Sequence, residues 1–195
     1  MDAEGFPDFL LALGERQSVR EFCGPPISVG TLHSILELAL RAPSEFDLQP
    51  WRLVVCHDLA DRQRLRACCL DQPQVEAAGA DVVVFGSPRD LLERAEAAAA
   101  ELDAAGRLST YTREECVEFI RTFYGADASR TRACALRNAV LFAHHLLIAE
   151  RTRAARSDLR GFMTFACNQH NVALHSKLQR LRNGSAALWN DLDGR

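Results

Sequence analysis

Between Asp81 and Gly86 runs Val82-Val83-Val84-Phe85, an unbroken apolar stretch closed by Gly86 and Pro88. Its β-branched content and short length predict a strand, and the lack of polar alternation predicts one covered on both faces. A chain that must bury both faces of a strand needs packed layers on either side of it. Arg52 to His57, with Leu53, Val54 and Val55, predicts a second strand. Nothing in the tail after Met163 reads as a further one.

Helices fill most of the remainder. Phe9 to Arg16 reads as a short helix, and Leu32, Ile35, Leu36, Ala39 and Leu40 follow helical spacing up to Pro43. A polar helix is expected over Asp61 to Cys69, and the chain turns helical after Pro88 through the alanine-rich Leu91 to Ala105. Arg113 to Tyr124 and Arg132 to Arg151 complete the set, the last with Leu136, Val140, Ala143 and Leu147 as its buried stripe. Leu174, Leu178 and Leu181 suggest a short helix stopped at Asn183-Gly184. The expectation is an α+β fold, a mixed sheet with helices on both faces, in a single domain over residues 1–195. A composition 48% hydrophobic supports one real core.

Several classes of function drop out. A net charge of −3 gives no basic excess for nucleic acid. The longest nearly apolar run, Ala139 to Ala149, holds His144 and His145 and falls short of the roughly 20 residues needed to span a bilayer. Asp2 and Glu4 stand where a secretory signal carries positive charge, so the cytoplasm is the expected location. The seven cysteines contain no C-x-x-C pair and read as reduced thiols, and Cys68 and Cys69, about 100° apart on a helix, as two unrelated ones. Phosphate-loop, dinucleotide, esterase-elbow and zinc-protease motifs are absent, and Lys177, the one lysine, is a poor Schiff-base candidate. Cys167, His170 and His175 lack a fourth ligand and paired spacing, so no metal site is expected.

Two segments carry chemistry. Arg16-Gln17-Ser18-Val19-Arg20 offers two guanidiniums around a hydroxyl, a donor set matched to phosphate oxygens, although solvated surface arginines are the ordinary alternative. Ala42-Pro43-Ser44-Glu45-Phe46-Asp47-Leu48-Gln49-Pro50-Trp51 is a polar loop held between prolines and leading into the first strand. Ser44, Asp47 and Gln49 there suit the edge of a heteroaromatic ring; the alternative is a plain helix-to-strand connection with Trp51 in the core.

R-x-S-x-R followed by A-P-S-x-x-x-x-Q-P-W and a strand resembles the N-terminal signature of the nitroreductase family of FMN-dependent oxidoreductases. The likeness covers residues 8–162, leaving 163–195 as a divergent tail. It implies a homodimer with FMN at the subunit interface, reduced by NAD(P)H and reoxidised by a small-molecule nitro, quinone or enone-type acceptor. Arg16, Gln17, Ser18 and Arg20 would hold the phosphate and ribityl chain. Ser44, Asp47 and Gln49 would lie near the isoalloxazine, Pro43 and Ser44 would reach the partner's flavin, Gln72 would bond the pyrimidine edge, and Arg160-Gly161 would pack beside the ring. No catalytic acid or base is needed, since the flavin carries the chemistry.

Departures from the family pattern keep a second reading open, a non-catalytic member that binds flavin or serves as a partner subunit. Asp47 replaces the usual asparagine, Arg153, Arg156, Ser157 and Asp158 replace a glycine turn and apolar strand, and the closing strand and dimer arm have no counterpart after Phe162. A third reading, oxidation of a biosynthetic intermediate with oxygen, stays open because one fold hosts many chemistries.

Overall fold

The structure, a computed structural model, describes residues 5–108, 110–154 and 163–167. Helix α1 (Gly5–Glu15) and helix α2 (Val29–Ala39) precede strand β1 (Trp51–Cys56). Helices α3 (Leu59–Cys68) and α4 (Pro73–Ala77) lead to strand β2 (Asp81–Gly86). Helices α5 (Pro88–Glu93), α6 (Ala95–Ala104), α7 (Arg113–Gly125) and α8 (Ala128–Ala154) follow, and strand β3 (Met163–Cys167) closes the described chain.

Strand β2 is central. It pairs antiparallel with β1, Trp51 opposite Gly86 and Cys56 opposite Asp81, and parallel with β3, Asp81 opposite Met163 and Phe85 opposite Cys167. The two-residue period of a strand then sorts the side chains. Leu53, Val55, Val82 and Val84 pack with α2 and α8 through Ile35, Leu36, Phe142 and Leu146, while Val54, Cys56 and Val83 pack with Leu65, Cys69 and Val75 of the α3–α4 side. The mixed sheet with helices on both faces is therefore as expected, and Trp51 sits in the core with its ring 5.0 Å from that of Phe142. A separate helical cluster joins Leu91, Ala95, Ala98, Ile120 and Tyr124 to the buried Leu48.

Three expectations are corrected. A third strand exists, β3, which pairs with β2 just beyond Phe162, where the sequence suggested none. The helical region after Pro88 breaks at Arg94 into α5 and α6, and the Arg94 guanidinium turns back to donate to the carbonyl of Leu48 at 3.1 Å. On α8 the buried stripe runs from Thr131 and Cys134 through Ala135, Asn138, Ala139, Phe142 and Ala143 to Leu146, whereas Val140 is exposed and Leu136 and Leu147 only half-buried. Close packing explains the rotation: the α8 backbone passes so near β2 that a Cβ on Gly86 would lie 2.8 Å from the Ala135 carbonyl carbon. Small alanines fit that approach where branched side chains do not.

None of the six cysteines with described side chains forms a disulfide, and four of them are buried. Among the described residues no helix is long and apolar enough to cross a membrane, and no group of three metal-ligating side chains forms. Cys167, though in β3, has no described side chain, and His170, His175 and the helix expected near Leu178 lie outside the described residues.

Candidate functional site

The loop from Pro43 to Pro50 folds into a one-turn 3-10 helix, Glu45–Asp47, with Phe46 (φ 52°), Asp47 (φ 53°) and Gln49 (φ 45°) all in the left-handed region. Non-glycine residues there cost roughly 1–3 kcal/mol each and persist only where neighbours over-determine the shape. The restraints are present. Ser44 Oγ accepts the Gln49 N–H at 3.1 Å, Gln49 Nε2 donates to Asp47 Oδ1 at 3.1 Å, and Asn138 Oδ1 accepts the Glu45 N–H at 3.0 Å. Phe46 packs on Phe119 of α7 with ring centroids 5.6 Å apart.

Glu45 itself is a hub. Its Oε2 accepts from Tyr124 Oη at 2.5 Å and from Cys134 Sγ at 3.0 Å, and its Oε1 accepts from Arg137 Nη2 at 2.6 Å. Partial burial alone would raise its pKa, but the bonds from Cys134, Tyr124 and Arg137 outweigh burial and hold the carboxyl below its ordinary value. Burial, reinforced by the neighbouring carboxylate, drives its partners the other way: the Cys134 thiol is pushed up to about 12, and the Tyr124 hydroxyl is raised too. A buried thiol of that kind is inert as a nucleophile.

Arg16, Gln17, Ser18 and Arg20 lie exposed in the coil between α1 and α2, and no side chain among the described residues pairs with either guanidinium. Pro43, Ser44 and Glu45 line a groove of about 610 Å³ with Leu136, Val140 and Leu141 of α8. Gln72 caps α4, and its Oε1 accepts from Gln74 Nε2 at 2.6 Å. The geometry thus joins Ser44, Asp47 and Gln49 into one bonded unit; the arginine segment and Gln72 stand apart from it, with no hydrogen bond among the described residues linking the three groups. Arg160 and Gly161 lie outside the described residues. Sequence reasoning missed Glu45, Tyr124, Cys134 and Arg137. The one signal was an acid inside a proline-bounded loop, where an unpaired charge would be costly.

The Nitroreductase family profile matches residues 13–169, a span that includes β3. The chain belongs to the nitroreductase family. Among individual relatives it is 42% identical over 78 residues to an NADH dehydrogenase of Thermus thermophilus, an alignment covering 40% of this chain and 38% of that protein. It is 30% identical over 142 residues to YodC of Bacillus subtilis, named as an NAD(P)H nitroreductase, covering 72% of this chain and 69% of that one. Among solved structures, a nitroreductase-like protein of Exiguobacterium sibiricum in complex with FMN superposes with a TM-score of 0.65 at 26% identity, over 74% of this chain and 70% of that one.

Proposed function

We propose that this chain is an FMN-dependent oxidoreductase that takes hydride from NADH or NADPH and delivers it to a small nitro, quinone or enone-type acceptor, working as a homodimer. The observation that carries the reading is the pair of unneutralised guanidiniums at Arg16 and Arg20 around Ser18, ahead of a strained, polar loop at 43–50. Such a pair fits a phosphate monoester: two planar forks and a hydroxyl supply donors, and no described carboxylate competes for them. The similar protein of E. sibiricum holds FMN.

Bound FMN supplies the two-electron chemistry, so the protein contributes binding, orientation and electrostatics. Arg16, Gln17, Ser18 and Arg20 bind the phosphate and ribityl end. Ser44 accepts the Gln49 N–H and keeps its own proton to donate. Asp47, fixed by Gln49 Nε2, places a carboxylate by the ring and opposes the build-up of negative charge there. Gln72 has its oxygen engaged by Gln74 and keeps its amide N–H groups for the pyrimidine edge. The family resemblance adds Arg160 and Gly161 to the flavin-binding set, and Pro43 and Ser44 extend toward the partner's flavin.

The test is the visible absorption spectrum of purified protein before and after adding FMN, with flavin identified by release on denaturation. A stoichiometric flavin spectrum is expected, and its absence sinks the reading. Arg16→Ala or Arg20→Ala is expected to weaken FMN binding by roughly 10- to 100-fold, the scale of a lost charge-assisted hydrogen bond. Unchanged affinity in a fluorescence titration would remove these arginines from the site. FMN bound without oxidation of NADH or NADPH across the three acceptor classes would favour a flavin-holding partner subunit.

A further inference from the structure

The left-handed run in the loop needs something to hold it, and the strongest bonds converge on one side chain outside the set assigned to the flavin. Glu45 is bound by α7 through Tyr124 and by α8 through Cys134 and Arg137, while Asn138 of α8 takes its backbone N–H. Tyr124, Cys134 and Asn138 are 4%, 0% and 1% exposed, so these anchors are themselves fixed by packing. The next residues, Phe46 and Asp47, are left-handed, and Asp47 carries the carboxylate that Gln49 Nε2 steadies.

We propose that Glu45 is a positioning residue, a carboxylate clamp that ties the loop to α7 and α8 and so fixes where Asp47 and Gln49 stand. This rests on the FMN reading above. Release of the clamp lets Phe46 and Asp47 relax toward ordinary backbone, since each left-handed residue is held against its own preference. Asp47 then leaves the ring, and its opposition to negative charge there fades. A residue that only stabilised the fold would lower stability without altering flavin electronics through Asp47.

The test uses the full chain carrying Glu45→Gln or, as a milder change, Tyr124→Phe, which keeps the ring and deletes one bond. Hydrogen exchange without flavin reads the clamp: the amides of Asp47, Leu48 and Gln49, bonded to Ser44, Glu45 and Ser44 Oγ, are expected to exchange on the order of tenfold faster in Glu45→Gln, the equivalent of one lost hydrogen bond. With FMN, Glu45→Gln is expected to weaken binding by roughly five- to tenfold and to raise the flavin's midpoint potential. In an Asp47→Asn background that rise is expected largely to disappear, because the clamp acts through Asp47. Tyr124→Phe should move each readout the same way by less, and it stands in if Glu45→Gln does not fold.

Unchanged exchange overturns the clamp. Faster exchange with an unaltered potential, or a potential shift that survives intact in the Asp47→Asn background, overturns the positioning role. Wild-type protein that takes up no FMN overturns the FMN reading and the flavin half of the proposal with it, while exchange still decides the clamp.

Discussion

Asp81 is fully buried at the head of β2, and neither of its carboxyl oxygens has a hydrogen-bond partner among the described residues. Burial outweighs the attraction of the nearby Arg62 guanidinium and raises the carboxyl from 3.8 to about 8. Below pH 3.8 both folded and unfolded chains are protonated there and Asp81 takes nothing from stability. From about 4 to 8 the unfolded chain has lost a proton that the folded chain keeps, so stability falls as pH rises through the window and levels off above it. Denaturant titrations between pH 5.5 and 7.5, roughly the part of that window clear of Glu45 and the cysteines, should show the decline, and Asp81→Asn should flatten it. A slope identical in both proteins would assign the titration to another group. Legibility at this scale follows sequence distance. Ser44, Asp47 and Gln49 bond one another within a few residues, and their motif exposed them; Glu45 bonds Tyr124 and Asn138 across separations of 79 and 93 residues, which no local pattern encodes.

Helix α8 is the element on which the rest depends, because it packs on the sheet with one face and holds the loop through Cys134, Arg137 and Asn138. Its approach to β2 requires Gly86, where an added Cβ would meet both the carbonyl carbon and oxygen of Ala135 at 2.8 Å. Backbone cannot swing aside as a side-chain tip can. Gly86→Ala should therefore cost about 2 kcal/mol in a denaturant titration, and by shifting Asn138 it should weaken FMN binding as well. A stable variant with native affinity would show that α8 yields without disturbing the loop. The long, patterned elements were legible: the valine runs of β1 and β2 and the extent of α7 match their periodicity. Helix α4, five residues long, lies below the length at which propensity has a voice, and β3 owes its form to a parallel partner distant in sequence rather than to its own composition.

At the scale of the whole molecule, the sequence foretold helices on both faces of a sheet but not the order β1-β2-β3, because pairing partners are chosen by three-dimensional packing rather than by pattern. The same limit explains α8. Leu136, Val140 and Leu147 were expected to face inward, yet the close contact at Gly86 sets Ala135 and Ala139 toward the sheet, and Val140 and its neighbour Leu141 are 49% and 41% exposed. These two, with Leu136 and Pro43, make the apolar side of the groove that also holds Ser44. A monomer gains nothing by wetting such a surface, whereas a second copy packed there would bury it and would bring Pro43 and Ser44 up to the neighbouring flavin, as the proposed homodimer requires. Sedimentation should then give twice the 21.6 kDa of one chain. Val140→Glu, placing a charge in the contact while leaving the α8 face that packs on the sheet intact, should shift the protein toward single chains and lower FMN affinity together. Loss of the dimer with affinity retained would mean that each chain builds its flavin site alone; a wild-type protein that sediments as one chain would reject the homodimer, and the groove would need another occupant.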